Sequence, residues 1–230
     1  MGSTVAQSPF SVSWLVHRIV RRCIGAAAAD HARGLLLDIG CGQRPYEPLL
    51  LQYARAYVGL ESDRTRYGSS PHPPDMWGSG LSLPLRDQSA DTIVAFQVLE
   101  HVPDPARLFA ECRRVLRPGG CLIVTAPHIW GVHEEPEDYF RFTGFGLAHL
   151  SRQAGLRVDS VRAMAGYWVT AGTRLCYYLQ HFEKIGLALL LRPVYAVIQI
   201  AAMTLDRLHR VEGDTWNFIL VASKDDDGTD

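Results

Sequence analysis

The chain has 230 residues, of which 47% are hydrophobic and 20% charged, and its formal net charge is −1. This composition excludes disordered and fibrous proteins, and the near-zero charge argues against a nucleic-acid substrate, whose binding requires a basic surface. Five scattered cysteines, never spaced as CxxC, argue against a disulfide framework and a zinc site and favour a reducing cytosol. We therefore expect a globular, cytoplasmic, metal-independent protein.

The segment at the start of the sequence, residues 1–33, is expected to be helical. Its apolar stretch Trp14–Val20 contains Arg18 and is followed by Arg21 and Arg22, and no positively charged region precedes it. A secretory signal peptide has a different arrangement, so we interpret the stretch as a leading helix.

Four short runs rich in Val, Ile and Leu follow, and they lack the polar alternation of half-exposed strands. They are Leu35–Ile39, Tyr57–Leu60, Thr92–Phe96 and Leu122–Thr125. Runs of this kind are typical of parallel strands that helices cover on both faces. The sequence therefore predicts an α/β fold, with residues 34–164 as its core.

One helix is predicted between the third and fourth runs, in the segment "DPARLFAECRRVLRPGG". Its apolar residues recur at helical spacing. Asp104 suits the N-cap and Pro105 the first helical position, and we expect Pro118-Gly119-Gly120 to end the helix.

The C-terminal part is unusually apolar. Residues 165–213 are predicted to form a helical insertion, in which Ile185–Leu205 carries Arg192 as its only charge. Residues 214–224 are predicted to be the last core strand, and 225–230 a disordered tail. The insertion suits a lid over the substrate, a homodimer face or a peripheral membrane contact through 185–205. A spanning helix is disfavoured, because Arg192-Pro193 and Gln199 interrupt the segment.

The first strand ends in a glycine turn, "LLLDIGCG", which contains Gly40 and Gly42. Glycines there let backbone N–H groups approach a ligand closely, although a plain tight turn has the same pattern. A dinucleotide fingerprint needs a third glycine where this chain has Pro45, which disfavours a nicotinamide cofactor. Glu61 ends the second strand about 20 residues later, where an acid can bind both hydroxyls of a ribose, or simply be solvated.

Several segments together resemble the class I S-adenosylmethionine-dependent methyltransferases, in the branch whose fourth-strand segment reads LEHV. They are "LLLDIGCG", "YVGLESD", "GSGLSLPLRDQSADTIVAFQVLEHVPDPARLFAECRRVLRPGGCLIVTAP" and "HEEPEDYFRFTGFGLAHLSRQAGL". The resemblance implies S-adenosylmethionine as the cofactor. It also implies a Rossmann-like, mostly parallel seven-stranded sheet with helices on both faces and the apolar helical insertion before the last strand.

The resemblance also implies which residues bind the cofactor. By this resemblance, the methionyl part of the cofactor contacts Asp38, Gly40, Cys41 and Gly42, and the ribose contacts Glu61. The adenine contacts Ser79, Gly80 and Leu81, and the sulfonium side contacts Gln97. Two positions depart from the family pattern: Arg44 stands for a third glycine, and Ser79 for an acid that binds the adenine amine. We expect these departures to weaken cofactor binding rather than abolish it.

The segment "PHIWGVHEEPEDYFRFT" follows the fifth strand, where open α/β sheets bind substrates. We expect His133 to act as a base near neutral pH, with Glu134 or Asp138 orienting it. The predicted substrate-binding residues are His128, Trp130, Tyr139 and Arg141. In the alternative interpretation the segment is a structural cap held by an Asp138–Arg141 ion pair, and His101 of LEHV makes a structural hydrogen bond.

The expected function is therefore methyl transfer to a small-molecule or lipid-linked acceptor, at oxygen. One alternative is a cofactor-binding protein without catalytic activity. A weaker one is a nicotinamide-dependent oxidoreductase.

Overall fold

A computed structural model describes residues 8–62, 68 and 70–226 of the chain. It contains one sheet of seven strands. In chain order these are β1 (Leu35–Ile39), β2 (Ala56–Glu61), β3 (Met76–Trp77), β4 (Ala90–Phe96), β5 (Leu116–Pro127), β6 (Arg157–Ala163) and β7 (Asn217–Ser223). Their order across the sheet is β3-β2-β1-β4-β5-β7-β6.

The sheet is mostly parallel, as predicted. β1 pairs in parallel with β2 and β4, and the pairs β2–β3 and β4–β5 are also parallel. β7 is antiparallel to β5. The hydrogen bonds show this: the Gly119 N–H near the start of β5 donates to the Lys224 carbonyl just after the end of β7, and the Lys224 N–H donates to the Gly120 carbonyl. The carboxyl ends of β1, β2, β4 and β5 therefore share one edge.

The helices are assigned as follows. They are α1 (Trp14–His31), α2 (Glu47–Leu50), α3 (Pro105–Val115), α4 (Gly144–Gln153), α5 (Tyr167–Gln180) and α6 (Ala188–Leu208), with 3₁₀ turns at Leu99–His101, His181–Ile185 and Glu212–Asp214. The Rossmann-like α/β fold and the apolar helix before the last strand are thus confirmed. Of the predicted tail, residues 227–230 lie outside the described part of the chain.

The helix predicted after the LEHV segment begins as expected and ends earlier than expected. Asp104 is its N-cap, since the Asp104 side chain accepts a hydrogen bond from the Arg107 N–H at 3.1 Å, and Pro105 follows. The helix ends at Val115, and β5 begins at the next residue. The predicted stop at Pro118-Gly119-Gly120 was therefore wrong. These residues lie inside β5, where the Gly119 N–H has a strand partner in Lys224.

The described chain divides into two compact units. The sheet unit comprises the described residues of three ranges: Ile24–Pro127, Gly131–Arg162 and 218–226. The helical unit comprises the described residues up to Cys23, together with His128–Trp130 and Ala163–Asn217. The predicted insertion, residues 165–213, belongs to the helical unit.

Helix α6 is continuous through Arg192 and Pro193, so these residues interrupt the apolar character of the segment and not the helix. Pro193 lies near its N-terminal end and lacks the N–H of a helix hydrogen bond. Gln199 is buried and holds the N-terminal segment: its Oε1 accepts from the Leu15 N–H at 2.9 Å, and its Nε2 donates to Pro9 and Ser11 at 3.0 Å. Judged by length and composition alone, α6 could cross a membrane.

Candidate active site

The glycine turn after β1 has a left-handed backbone at three alternate positions. The φ angles are +69° at Gly40, +53° at Gly42 and +59° at Arg44. A Cβ atom on Gly40 would lie 2.5 Å from the Val98 side chain, so this position requires glycine for space as well as for conformation. The Gly40 and Cys41 N–H groups both donate to the carbonyl of Leu60, which joins the turn to β2.

Arg44 keeps the backbone conformation of the glycine that it replaces. Its guanidinium pairs with Asp75 at 2.7 Å and with Glu47 at 3.2 Å, and it lies 4.8 Å from the centre of the Tyr57 ring. The departure from the family pattern therefore leaves the turn in place. It adds an ion-pair network beside the turn.

Asp38 lies in β1, one residue before the strand ends, and is buried. The Tyr57 hydroxyl donates to its carboxylate at 2.6 Å. Burial raises the pKa of Asp38 to about 7, and the Tyr57 hydrogen bond partly opposes this shift. Burial also raises the pKa of the Cys41 thiol to about 12, so Cys41 is a neutral thiol at physiological pH.

Glu61 ends β2 and is 7% exposed. Its Oε2 accepts from the Gly42 N–H at 3.1 Å, and its Oε1 accepts from the Ser62 N–H at 2.7 Å. A carboxylate oxygen can accept more than one hydrogen bond, so this acid can also receive a ribose diol. The turn that requires glycine and the acid that binds it form one site at the ends of β1 and β2, and this site fits a nucleoside-bearing cofactor.

The predicted adenine-side residues form a tight turn. The Ser79 hydroxyl accepts from the Leu81 N–H at 3.1 Å. A Cβ atom on Gly80 would lie 2.5 Å from the Leu108 side chain, so the turn packs closely against α3. The Ser79 hydroxyl uses one lone pair in this contact and keeps its O–H donor.

Gln97 follows β4 and has a left-handed backbone, with φ +56°. Its side-chain amide donates to the Thr125 hydroxyl at 2.9 Å, and its N–H donates to the Thr125 carbonyl at 3.1 Å. These two hydrogen bonds hold Gln97 against β5. A left-handed backbone at a residue other than glycine is common at functional sites.

A second cluster lies at the same edge of the sheet, after β4 and β5. Glu100 is fully buried, and its Oε1 lies 4.0 Å from His101 Nε2 and 3.9 Å from His133 Nε2. The two imidazole rings meet edge to face, with centroids 5.0 Å apart. In the described part of the chain neither Glu100 oxygen accepts a hydrogen bond from another residue. Burial raises the pKa of Glu100 to about 8.

Asp138 and Arg141 hold the loop that carries His133. Arg141 donates to both Asp138 oxygens, at 2.6 and 2.7 Å, and to the Gly131 carbonyl at 2.7 Å. Asp138 also accepts from the His133 N–H at 2.8 Å. The hydrogen bonds from Arg141 hold the pKa of Asp138 well below its usual range. The ion pair of the cap interpretation is therefore present, and it anchors the backbone of His133.

The other predicted residues of this segment occupy different places. Glu134 is exposed and has φ +54°. Tyr139 is 48% exposed, and its N–H donates to the Glu100 carbonyl at 2.7 Å. His128 and Trp130 belong to the helical unit, where the Trp130 ring contacts Tyr177 at 5.1 Å between centroids.

Sequence reasoning overlooked Glu100 and Tyr57. The available signal for Glu100 was an acid between Leu99 and His101, four residues after the end of the buried strand β4. The Tyr57–Asp38 hydrogen bond depends on the strand register, which pairs Leu36 with Tyr57 and Asp38 with Gly59, and the sequence carries no signal for it.

Comparison with known proteins agrees with this geometry. A family model described as "Methyltransferase domain" matches residues 37–124. A probable S-adenosylmethionine-dependent methyltransferase of Mycolicibacterium smegmatis is 37% identical over 118 residues, which are 48% of this chain and 42% of that protein. The chain thus spans less than half the length of this curated relative.

Two solved structures share the fold. One is the [4+2]-cyclase SpnF, with a TM-score of 0.60 and 22% identity over 90% of this chain and 81% of that one. The other, from Thermotoga maritima, is described as a possible histamine N-methyltransferase, with a TM-score of 0.57 and 20% identity over 92% and 93% of the two chains. Residues 37–124 thus match a methyltransferase domain. The relatives and the cofactor-type turn that ends at Glu61 support a class I S-adenosylmethionine-dependent methyltransferase, with S-adenosylmethionine as its cofactor.

Proposed function

We propose that the protein transfers a methyl group from S-adenosylmethionine to an oxygen atom of a small-molecule or lipid-linked acceptor. The observation that carries this proposal is that two sites share one edge of the sheet. The nucleoside-type site lies at the ends of β1 and β2, and the Glu100, His101 and His133 cluster follows β4 and β5. Because β1 and β4 are neighbours, the two sites suit a cofactor and its methyl acceptor.

The division of work between these residues follows from the chemistry. S-adenosylmethionine, when bound, supplies an electrophilic methyl group on a sulfonium sulfur. Gly40, Gly42 and Glu61 would hold the cofactor, so that the acceptor can be aligned against it. An acceptor hydroxyl must give up its proton in the transfer, and His133 is the residue that we expect to activate it.

The surface of the helical unit supports a lipid-linked acceptor. Large apolar side chains on α6 are exposed, among them Leu189 at 77%, Leu190 at 70% and Val197 at 68%. Exposed apolar area of this kind marks an interaction surface, and the neighbouring Arg192 and Lys184 suit an anionic membrane. We propose that this surface lies on a membrane. A homodimer face is the rival explanation.

The test is transfer of labelled methyl from S-adenosylmethionine into an extract of the native host, partitioned between organic and aqueous phases. Glu61→Ala protein is the control for transfer that does not depend on the proposed site. Label in the organic phase supports a lipid-linked acceptor, and label in the aqueous phase indicates a polar one. Mild base treatment then separates the two kinds of oxygen acceptor: a methyl ester of a carboxylate is hydrolysed and releases its label as methanol, whereas a methyl ether of an alcohol keeps its label.

An absence of label in both phases, with retained binding of S-adenosylhomocysteine, would favour the alternative of a cofactor-binding protein without methyl transfer. The [4+2]-cyclase SpnF is a reason to keep this alternative, since it is described by a different reaction on the same fold. Tight binding of NADH would instead favour the nicotinamide alternative, which Pro45 disfavours.

A further inference from the structure

We infer that Glu100, His101 and His133 form a binding site for a divalent transition-metal ion. The three residues lie at the carboxyl edge of the sheet, outside the cofactor turn. One oxygen of Glu100 and one nitrogen of each histidine all lie within 4.8 Å of one another. Three potential ligands from two separate loops therefore converge on one point.

The Nδ1 atoms of both histidines contact backbone carbonyls, which directs the Nε2 atoms toward Glu100. His101 Nδ1 lies 2.6 Å from the Glu137 carbonyl, and His133 Nδ1 lies 3.2 Å from the Gly131 carbonyl. A carbonyl oxygen can only accept, so His101 Nδ1 is the donor and the other ring nitrogen, Nε2, is directed toward Glu100. His133 Nδ1 also lies 3.5 Å from Arg141 Nη2 and from Asp138 Oδ2, and its Nε2 is likewise directed toward Glu100. Metal-bound histidines typically have this arrangement, in which the outer hydrogen bond fixes the ring and its tautomer.

Glu100 supplies an independent indication. Its side chain is 0% exposed, and both oxygens lack a hydrogen bond from any other described residue. A buried carboxyl group that receives no hydrogen bond from another residue is a poorly satisfied polar group. Here the Nε2 atoms of two histidines also face it at 4.0 and 3.9 Å. A cation between the three groups satisfies all of them at once.

The donor set indicates the class of ion. Two imidazole nitrogens and one carboxylate oxygen suit Zn²⁺, Mn²⁺, Fe²⁺, Co²⁺ or Ni²⁺ better than the all-oxygen sites of Ca²⁺ and Mg²⁺. Ligands about 2.1 Å from an ion are about 3.0–3.4 Å apart, so the side chains must close by roughly 1 Å. Rotation about their side-chain bonds can provide this movement. Three protein ligands leave further positions open for a substrate oxygen.

The positioning residues around the cluster fit this role. The Asp138–Arg141 ion pair fixes the backbone of His133, and Arg141 also holds the Gly131 carbonyl that orients the His133 ring. The consequence of a bound ion for methyl transfer rests on the proposed function. An ion held by these three residues would bind the acceptor oxygen and favour loss of its proton. His133 would then activate the acceptor as a ligand rather than as a free base.

Metal binding is tested without methyl transfer, so that the two proposals can fail separately. Tag-free protein, freed of metal with a chelator, is titrated with Zn²⁺ by calorimetry and with Co²⁺ by visible absorption. We expect one saturable site and Co²⁺ bands typical of mixed nitrogen and oxygen ligands. Glu100→Gln, His101→Gln and His133→Gln should each weaken binding by about 100-fold or more, beyond the loss of about 10- to 100-fold that an outer partner causes.

His149→Gln is the matched control, because His149 is an exposed histidine on α4 of the same unit. It should bind metal as the unchanged protein does. The glutamine variants keep the side-chain size, and circular dichroism confirms that they are folded. If Glu100→Gln does not fold, His133→Gln alone decides. Absence of saturable binding to the unchanged protein, or equal binding by folded glutamine variants, overturns the proposal.

Discussion

The Glu61 carboxylate accepts a hydrogen bond from the Gly42 N–H at 3.1 Å, and this contact joins the acid at the end of β2 to the turn after β1. Gly42 has a left-handed backbone, which directs its N–H toward the acid. The two elements of the cofactor site are therefore not independent: the residue expected to bind the ribose also orders the turn.

Replacement of Glu61 by alanine should weaken S-adenosylmethionine and S-adenosylhomocysteine binding by about 1 to 3 kcal/mol, or roughly 5- to 150-fold. The physical reason is that the ribose hydroxyls lose a charged acceptor and the turn loses its hydrogen bond. Equilibrium dialysis or calorimetry measures the change. Glu61→Gln keeps the shape and one acceptor oxygen, so its loss should be smaller. Equal affinity of the alanine variant and the unchanged protein would reject the role of Glu61.

Much of the cofactor site could be predicted from the sequence, because its residues follow short strands in chain order. Gly40, Gly42 and Glu61 each lie within three residues of a strand end, so a correct strand assignment brings them to one edge. The His133 cluster was harder to foresee. Glu100 and His133 are 33 positions apart in the numbering, and their proximity depends on how two loops fold over the edge.

Replacement of His133 by alanine should lower turnover by about 10²-fold or more while cofactor affinity is retained. Activation of the acceptor requires the His133 imidazole, whether it takes the proton or binds an ion, whereas the cofactor turn lies on other strands. Single-turnover kinetics with saturating cofactor separate the two effects. His149→Ala is the control. Near-normal turnover of the His133 variant would favour the interpretation of this segment as a structural cap.

The conservative change Arg141→Lys tests whether the ion pair positions His133. Arg141 uses two separate nitrogens to reach the Asp138 oxygens and the Gly131 carbonyl, whereas a lysine has a single nitrogen, so the loop that carries His133 should lose its fixed geometry. We expect turnover to fall by about 10- to 100-fold with little change in cofactor affinity, as for other positioning residues. If the melting temperature and the cofactor affinity both fall while turnover per folded molecule is unchanged, the role of Arg141 is purely structural.

Asp38 should make the stability of the protein depend on pH. Its folded-state pKa of about 7 lies above the ordinary value of 3.8, so the folded protein keeps a proton that the unfolded chain releases. Stability should therefore fall as pH rises from about 4 to about 7, by as much as roughly 4 kcal/mol, and then level off. Asp38→Asn should remove this part of the slope, which urea unfolding at several pH values measures.

The control for this series is Asp30→Asn, because Asp30 is an exposed acid near the end of α1. Its side chain stays in water in both states, so the slope should match that of the unchanged protein. A slope of the Asp38 variant equal to that of the unchanged protein would contradict the assignment of the shift to this residue. The buried Asp38–Tyr57 contact also shows why pattern alone was insufficient, since burial on both sides of β1 sets this pKa.

The exposed surface of α6 leads to a prediction about membrane binding. Leu190→Lys together with Val197→Lys should weaken binding to vesicles that contain an anionic phospholipid, on the order of 100-fold. The reason is that two exposed aliphatic side chains, once they enter the membrane, contribute about 3 kcal/mol or more. Phe145→Lys is the matched control: Phe145 is 91% exposed on α4 in the sheet unit, so its replacement should leave vesicle binding unchanged. Sedimentation velocity without lipid tests the rival explanation. If the unchanged protein is a dimer that the double variant converts to a monomer, and neither binds vesicles, this surface is a homodimer face and the membrane proposal is wrong.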